Sequence, residues 1–310
     1  MQYPFAGRQD GGAPARVPDK PLISIFIPTY NRAGYLRECL ESCLDQHFPS
    51  YEIVVGDDGS TDETRGLMER WAAEEPRIRY FRLEENTKAR EVYALARNAR
   101  GEYILRIGDD DRLVPGILSR YAETAKRYGA DIVYGNLYCM DKAGVVTSEW
   151  KVDDYYGRED LLEALLKANQ FPQPGSMVRN SLHWKILVED GYVGFPPYPW
   201  LIPSLADKAI DYLDWVLLAD RCVFKHIGAY SVYYRVHESQ DSNLLFKNGS
   251  GESFVQRMVL SLYGLRRIFP RLDWEKDPVG SEWRAVLVAA EAFASVGDMY
   301  NASRFLARLI

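Results

Sequence analysis

Three consecutive carboxylates, Asp109 to Asp111, follow a run that reads as a buried β-strand, residues 102–107. Like charges at neighbouring positions repel one another, and burial in a medium of low dielectric constant raises the free energy of the charged forms. A chain that keeps such a cluster therefore either leaves it in water or supplies a cation for it. The residues of the cluster alone do not decide between these two possibilities.

Two other polar stretches also follow predicted strands. "PTYNR", residues 28–32, comes after one strand, and "GDDGSTDET", residues 56–64, comes after the next. Because ligands bind beyond the carboxyl ends of parallel strands, all three stretches are expected at one edge of a sheet. Carboxylates repel phosphate, but a hard Mg²⁺ or Mn²⁺ ion accepts oxygen ligands from both. The sequence has no Walker loop and no GxGxxG fingerprint, so we predict a diphosphate bridged to the protein by metal.

Each of the three stretches also has a purely structural interpretation. The first would be a turn in which Asn31 caps the following helix. The second would be an Asp-Gly turn before a helix capped by Thr61 or Asp62. The acidic run would be a solvated turn whose charges favour a helix N-terminus. Their occurrence together, at successive strand ends, favours the functional interpretation.

Short apolar runs alternate with amphipathic segments along the first half of the chain. Strands are predicted in five places: 22–28, 51–56, 77–83, 102–107 and 131–140. Helices are predicted in four: 34–46, 62–75, 87–99 and 114–129. This alternation is typical of an α/β domain with a largely parallel, twisted sheet.

After about residue 150 the pattern changes. A helix is predicted at 157–169, followed by an irregular stretch rich in proline, glycine and aromatic residues. A helix near 205–219 and a strand within 221–237 come next, and the pattern is helical from about 253 to the end. The irregular stretch includes Phe195, Tyr198 and Trp200, which would form either an acceptor-binding wall or ordinary packing.

The composition and net charge of the chain argue against some classes of protein. The 310 residues carry a net charge of −6, which argues against a nucleic-acid partner because such surfaces are usually basic. No stretch approaches the roughly 18–20 apolar residues of a membrane-spanning helix. The four cysteines are expected to be reduced core thiols, with a disulfide or zinc site as the alternative. A cytoplasmic location is expected, with peripheral contact to the inner face of the membrane left open.

Residues 24–64 and 101–118 resemble the two signatures of the family 2 glycosyltransferases, and the resemblance extends over roughly 21–240. It implies the GT-A fold, with a mostly parallel central sheet flanked by helices. The glycine, proline and charged residues of 1–20 predict a flexible lead-in, and by the resemblance 21–145 form the nucleotide-sugar-binding half. Residues 146–245 form the acceptor-binding half, and 253–310 a C-terminal helical extension.

The resemblance also implies which residues form the site. Those expected to contact the nucleotide and its phosphates are Pro28, Thr29, Tyr30, Asp57, Asp58, Lys88, Arg90 and Asp109. Those expected to hold Mn²⁺ or Mg²⁺ are Asp110, Asp111 and His237. Within these sets Asp58 would accept a hydrogen bond from the base, Asp57 would lie nearby or be structural, and Asp110 would be the main metal ligand.

One position departs from the pattern of the family. Many members have Asp-x-Asp-Asp before a helix that starts with proline, and the first of these acids is Gly108 here. Asp109 is the expected replacement for it, contacting ribose or metal. The general base that inverting transfer requires is expected at Asp214, with Asp211 as the alternative. Arg235 would orient the donor.

The resemblance therefore implies an inverting transferase that moves a sugar from a nucleotide-diphosphate donor, a UDP-sugar in the first instance, to a glycan or lipid-linked glycan acceptor. The QxxRW signature of processive synthases is absent, which favours a nonprocessive enzyme. A catalytically silent module that binds sugar nucleotides or glycans on the same fold is the alternative, and Gly108 is the feature that favours it. A sugar nucleotidyltransferase would need a glycine-rich basic loop after the first strand, which is not present.

Overall fold

The computed structural model describes residues 19–87, 92–154, 161, 171–184, 215, 218–219 and 222–238, without the side chains of residues 93, 183 and 184. Several predicted features lie outside these residues. They are the lead-in as far as residue 18, most of the helix at 157–169, the aromatic residues of 195–200 and the C-terminal extension 253–310.

Strands and helices alternate in the first half of the described chain, and strands predominate in the second. The strands are β1 (Ile23–Thr29), β2 (Tyr51–Asp57), β3 (Ile78–Arg82), β4 (Tyr103–Arg106), β5 (Arg112–Leu113), β6 (Ile132–Met140), β7 (Val146–Trp150), β8 (Ser176–Arg179) and β9 (Phe224–Arg235). The α-helices are α1 (Ala33–Leu44), α2 (Thr64–Glu74), α3 (Ile117–Tyr128) and α4 (Asn180–Trp184).

All these strands belong to one mixed sheet, ordered β3-β2-β1-β4-β8-β6-β9-β5, with β7 paired to β6. The first four strands in that order are parallel, as predicted from the alternation of strands and helices along the first half of the chain. β1 and β2 are buried almost throughout, which is the pattern of strands covered on both faces. The parallel part therefore brings the ends of β1, β2 and β4 to the same edge.

The other half of the sheet combines both strand directions. β8 lies between β4 and β6 and is antiparallel to both, whereas β6 and β9 are parallel. The expectation of irregular structure around β8 is therefore wrong. β8 has only four residues and follows Pro172 and Pro174, so its pattern is too short to read as a strand. Its middle residues are nonetheless buried in the core.

The helices shield the parallel strands. α1 buries Leu36, Cys39, Leu40 and Cys43 on one face, at the helical spacing noted in the sequence. α3 ends at Gly129, whose φ of +60° suits glycine at a helix C-terminus. The helix predicted at 87–99 is a 3₁₀-helix over Val92–Asn98 in the described part of that segment. All four cysteines are free thiols, as expected.

Candidate active site

The ends of β1, β2 and β4 meet at one edge of the sheet, as the sequence predicted. The backbone N–H of Asp58 donates to the carbonyl oxygen of Thr29 over 2.9 Å. The Thr29 hydroxyl donates to Asp109 Oδ2 over 2.7 Å. Two short bonds thus join the loops after all three strands, and Thr29 lies at their centre.

The acidic cluster, Asp109 to Asp111, is buried rather than solvated, with 4%, 5% and 1% of each residue exposed. The interpretation of this run as a solvated turn is therefore wrong. Arg32 contacts this cluster, with its Nη1 3.1 Å from Asp109 Oδ1 and 3.1 Å from Asp110 Oδ2. One guanidinium group therefore bridges two of the three carboxylates.

Burial and mutual repulsion make two of these carboxyls weak acids. Desolvation, and then the charge of Asp110, raise the pKa of Asp109 to about 7, although Arg32 and the Thr29 hydroxyl act in the opposite direction. The same two causes raise the pKa of Asp111 well above its ordinary value, opposed by the backbone N–H of Arg235. For Asp109 and Asp111, burial and repulsion therefore outweigh the stabilisation that their protein neighbours give to the charged forms.

The end of β9 supplies further partners to the cluster. His237 Nε2 lies 2.9 Å from Asp110 Oδ2, within hydrogen-bonding distance. The backbone N–H of Arg235 donates to Asp111 Oδ1 over 2.8 Å. The structure thus brings His237 to Asp110 although the two residues are 127 positions apart in the sequence.

The Arg235 side chain does not have the surroundings expected of a group that orients the donor. It is only 1% exposed, and each nitrogen of its guanidinium group donates to a protein oxygen. The acceptors are the carbonyl oxygens of Asp110 and Lys142 and the carboxylate of Glu38. Arg235 therefore holds the backbone of the acidic cluster in place through the carbonyl oxygen of Asp110.

The two aspartates that end β2 have different surroundings. Asp57 accepts hydrogen bonds from the Ser60 backbone N–H and the Tyr80 hydroxyl, which suits a structural role within the turn. Asp58 accepts from both the backbone N–H and the hydroxyl of Thr87, over 2.9 and 2.6 Å. Thr87 therefore holds the carboxylate that was expected to face a base.

Asn31 joins two loops and is not the helix cap that was predicted. Its φ is +52°, and α1 begins after Arg32 without a side-chain cap. Asn31 Oδ1 accepts from the backbone N–H groups of Thr61 and Asp62. The N-cap residue of α2 is Glu63, without a side-chain cap, so the prediction of Thr61 or Asp62 as the cap is wrong, although Asp62 Oδ1 accepts from the Thr64 backbone N–H over 3.0 Å.

Gly108, where the first acid of the family motif is missing, lies against the cluster. A Cβ atom at this position would be 2.7 Å from Asp110 Oδ1 and 3.0 Å from Asp111 Oδ2. Real Cβ atoms essentially never approach within 3.0 Å of another heavy atom. An aspartate at position 108 is therefore incompatible with the present arrangement of Asp110.

Two other predicted nucleotide contacts lie beside this group. Pro28 is the last residue but one of β1 and is partly buried. Tyr30, just after the strand, is 40% exposed. Four predicted site residues fall outside the described part of the chain: Lys88, Arg90, Asp211 and Asp214. Trp215, which follows the expected base, is described; it is buried and packs near Phe171 and Phe224.

The side chains at this point suit a hard divalent cation whose remaining coordination positions are filled by a bound ligand and by water. Asp110 Oδ2 and His237 Nε2 lie 2.9 Å apart, and Asp109 lies beside them, linked to Asp110 through Arg32. Within the described residues no three acidic, histidine or cysteine side chains are already grouped as a metal site. Two protein ligands with diphosphate and water oxygens make a usual Mg²⁺ or Mn²⁺ shell, so the residues fit such an ion.

Two residues of this site were not singled out from the sequence. Arg32 lies within the "PTYNR" stretch, and the signal that could have identified it is its positive charge opposite three carboxylates. Nothing in the sequence identified Thr87, because its contact with Asp58 depends on how the loop after β3 folds back. Each helix in the described part of the chain is too short or too polar to cross a bilayer.

Comparisons with known proteins give a consistent result. The family model described as "Glycosyl transferase family 2" matches residues 24–187. The GalNAc(5)-diNAcBac-PP-undecaprenol beta-1,3-glucosyltransferase of Campylobacter jejuni is 31% identical over 160 residues, 49% of this chain and 50% of that protein. The chain spans between 21% and 50% of the length of the curated relatives matched first.

Two solved structures resemble the chain over most of its length. S. aureus TarS 1–349, solved in complex with UDP-GlcNAc, has a TM-score of 0.59 and 18% identity, covering 91% of this chain and 90% of that one. Mannosyltransferase PcManGT from Pyrobaculum calidifontis, solved with GDP-Man and Mn²⁺, has a TM-score of 0.50 and 20% identity, covering 98% and 84%. At these identities the likeness shows the fold.

Proposed function

The chain belongs to glycosyl transferase family 2 and has its GT-A fold, and from that premise we propose that it is a nonprocessive, inverting, metal-dependent hexosyltransferase. The donor is a nucleotide-diphosphate sugar, in the first instance a UDP-sugar. The acceptor is a hydroxyl group of a glycan or lipid-linked glycan. The observation that carries the proposal is the convergence of Thr29, Asp58 and the acidic cluster at one edge of the sheet.

The nucleotide would bind over the ends of β1 and β2. Asp58 is buried and fixed by Thr87, so it presents a carboxylate of defined orientation to an imide N–H such as that of uracil. Pro28, Thr29 and Tyr30 would line the same pocket. A fixed acceptor loses little conformational entropy when it binds, which favours selection among bases.

The diphosphate would lie over the acidic cluster. Asp110 and His237, with Asp109 beside them, would hold Mn²⁺ or Mg²⁺, which supplies positive charge opposite the diphosphate when it is bound. Lys88 or Arg90 would add positive charge from the following segment. Asp111, held by the Arg235 backbone N–H, would support Asp110.

The reaction itself requires a base on the side of the sugar opposite the diphosphate. Asp214 would accept the proton of the acceptor hydroxyl while the hydroxyl oxygen attacks the anomeric carbon, with Asp211 as the alternative. The bond between that carbon and the diphosphate oxygen breaks as the new glycosidic bond forms. The products are an inverted glycoside and a nucleoside diphosphate.

Names of relatives support the choice of substrates. The C. jejuni relative is named for a lipid-linked glycan acceptor, and TarS was solved with UDP-GlcNAc. PcManGT was solved with GDP-Man and Mn²⁺. Because the chain spans at most half of the curated relatives matched first, a screen should include UDP-, TDP- and GDP-sugars.

Metal-dependent donor binding is the first test. Isothermal titration with UDP and Mn²⁺ is expected to show binding to the native chain, and Asp110→Asn is expected to abolish its Mn²⁺-dependent part, because Asp110 lies where cation and diphosphate meet. Asp45→Asn is the matched control, since Asp45 lies at the exposed end of α1 with 61% of its side chain exposed. Unchanged affinity in Asp110→Asn with Mn²⁺ present would contradict the metal assignment.

The base is tested by turnover rather than binding. Asp214→Asn is expected to leave donor affinity intact and to lower turnover by about two orders of magnitude or more, the usual contribution of a general base. Loss of turnover in Asp211→Asn with retention in Asp214→Asn would move the base to Asp211. Metal-dependent binding by the native chain without transfer or hydrolysis of any donor would instead support the silent binding module.

A further inference from the structure

Arg32 places a positive charge beside two buried carboxylates of the acidic cluster. Its Nη1 donates to Asp109 Oδ1 and Asp110 Oδ2, each over 3.1 Å. The two carboxylate side chains are only 5% and 7% exposed. A buried carboxylate left without a cation is strongly destabilising, so this guanidinium group stabilises the cluster as it stands.

The same atoms are those that a divalent cation would need. Asp110 Oδ2 accepts from Arg32 Nη1 and also lies 2.9 Å from His237 Nε2. A metal ion binds the deprotonated forms of carboxylate and imidazole. A metal ion bound to Asp110 Oδ2 would lie close to the guanidinium group of Arg32, and the two positive charges would repel each other. Arg32 at its present position therefore opposes the binding of a metal ion at Asp110.

Arg32 is also placed so that it can leave. Its side chain is 24% exposed, and although Arg32 is the N-cap residue of α1, that side chain makes no capping hydrogen bond to the helix. Arg235, the other arginine at the cluster, is 1% exposed and hydrogen-bonded through every guanidinium nitrogen. One arginine is thus enclosed in the core, whereas the side chain of the other is partly exposed to solvent.

We propose that Arg32 is the resident cation of the donor-free enzyme and competes with the divalent cation for Asp109 and Asp110. It leaves these carboxylates when metal and nucleoside diphosphate bind. This inference rests on the proposed function for the identity of the incoming ligand. It assigns to Arg32 a positioning role: the residue keeps the empty site folded and makes metal binding depend on the donor.

The competition is measured with Mn²⁺ alone. Free Mn²⁺ is followed by electron paramagnetic resonance during titration of the native chain, Arg32→Gln and Arg32→Lys, in the absence of nucleotide. Arg32→Gln is expected to lower the Mn²⁺ dissociation constant at least about tenfold, a change of about 1.4 kcal/mol. Arg32→Lys keeps the charge without the planar guanidinium group, so its affinity should fall between the other two.

Arg82→Gln is the matched control. Arg82 is also a half-buried arginine beside a strand-end aspartate, with 27% of its side chain exposed and its Nε 3.6 Å from Asp57 Oδ2. It is not among the partners of the acidic cluster, so its loss should leave Mn²⁺ affinity unchanged. Equal tightening in Arg82→Gln would show a general charge effect and overturn the proposal.

Thermal unfolding gives a second, independent readout. Arg32→Gln should melt below the native chain without metal, and Mn²⁺ should raise its Tm by more than it raises the native Tm. Unchanged or weaker Mn²⁺ binding in Arg32→Gln, or in Arg32→Lys where Arg32→Gln does not fold, would overturn the proposal. Tighter Mn²⁺ binding without any nucleotide binding would support the competition and reject the proposed function.

Discussion

At Asp109, Asp110 and Asp111 the chain keeps three ionisable groups in its interior, and each has a different set of partners, with Arg32 shared by the first two. Asp109 is held by Thr29 and Arg32, Asp110 by Arg32 and His237, and Asp111 by the backbone of Arg235. The sequence predicted that these acids would need a cation. It did not identify Arg32, because its approach depends on the direction in which the chain leaves β1.

His226 offers a prediction that is independent of the site. Gly228 N–H donates to its Nδ1 over 3.0 Å, and its Nε2 lies 3.1 Å from Asn136 Oδ1, so the neutral ring satisfies both contacts. Burial lowers the pKa of His226 below 6.5; Asp154 and Asp153 oppose this shift, and Lys225 adds to it. Protonation would remove the acceptor at Nδ1.

Because the folded state binds this proton less readily than the unfolded state, the stability that the neutral ring contributes is complete above about pH 6.5 and is lost as the pH falls below 6.5 and through the lower pKa of the folded state. The decrease in Tm between pH 7.5 and 5.5 should therefore be smaller in His226→Gln than in the native chain. His47→Gln, with 83% of the native side chain exposed, is the control. Equal decreases in all three proteins would refute the assignment.

The loop between β2 and α2 is the element that sets the position of Asp58. Gly59 has a φ of +76°, and a Cβ atom there would lie 2.5 Å from the carbonyl carbon of Glu85. The loop after β3 thus passes directly over Gly59 before Thr87 reaches Asp58. The sequence predicted a turn here from Asp-Gly, but not that a second loop covers it.

Replacement of Gly59 should therefore affect stability and binding together. Gly59→Ala is expected to lower the free energy of unfolding by about 1–3 kcal/mol, because the left-handed backbone and the contact with Glu85 are both strained. It should also weaken UDP binding, since Thr87 would shift away from Asp58. Urea denaturation and isothermal titration measure the two effects.

Gly66→Ala is the control within the neighbouring helix α2. A Cβ atom there meets nothing within 4 Å, and alanine is the better helix former, so stability should rise by about 0.5–1 kcal/mol without a change in binding. If Gly59→Ala is as stable as the native chain, the close approach of the two loops is wrong.

Across the whole molecule, the parallel strands could be predicted and the antiparallel insertion could not. β1, β2 and β4 have continuous apolar runs because both faces of the sheet are covered at those positions. β8 has four residues between a proline-rich turn and α4, and its place beside β4 is set by pairing with distant strands. The pattern of neighbouring residues in the sequence does not indicate which distant strands will pair.

The order in which the strands become available has a consequence for folding kinetics. Arg235 and His237 reach the acidic cluster only from the end of β9, through contacts that span 124 and 127 residues. Contacts of such long range close late, because the entropy of the intervening loop must be lost first. Until β9 docks, burial of Asp110 and Asp111 would leave them without these partners, so water has to stay around them. The slowest refolding phase of this chain and the exclusion of water from its acidic cluster should therefore be one event.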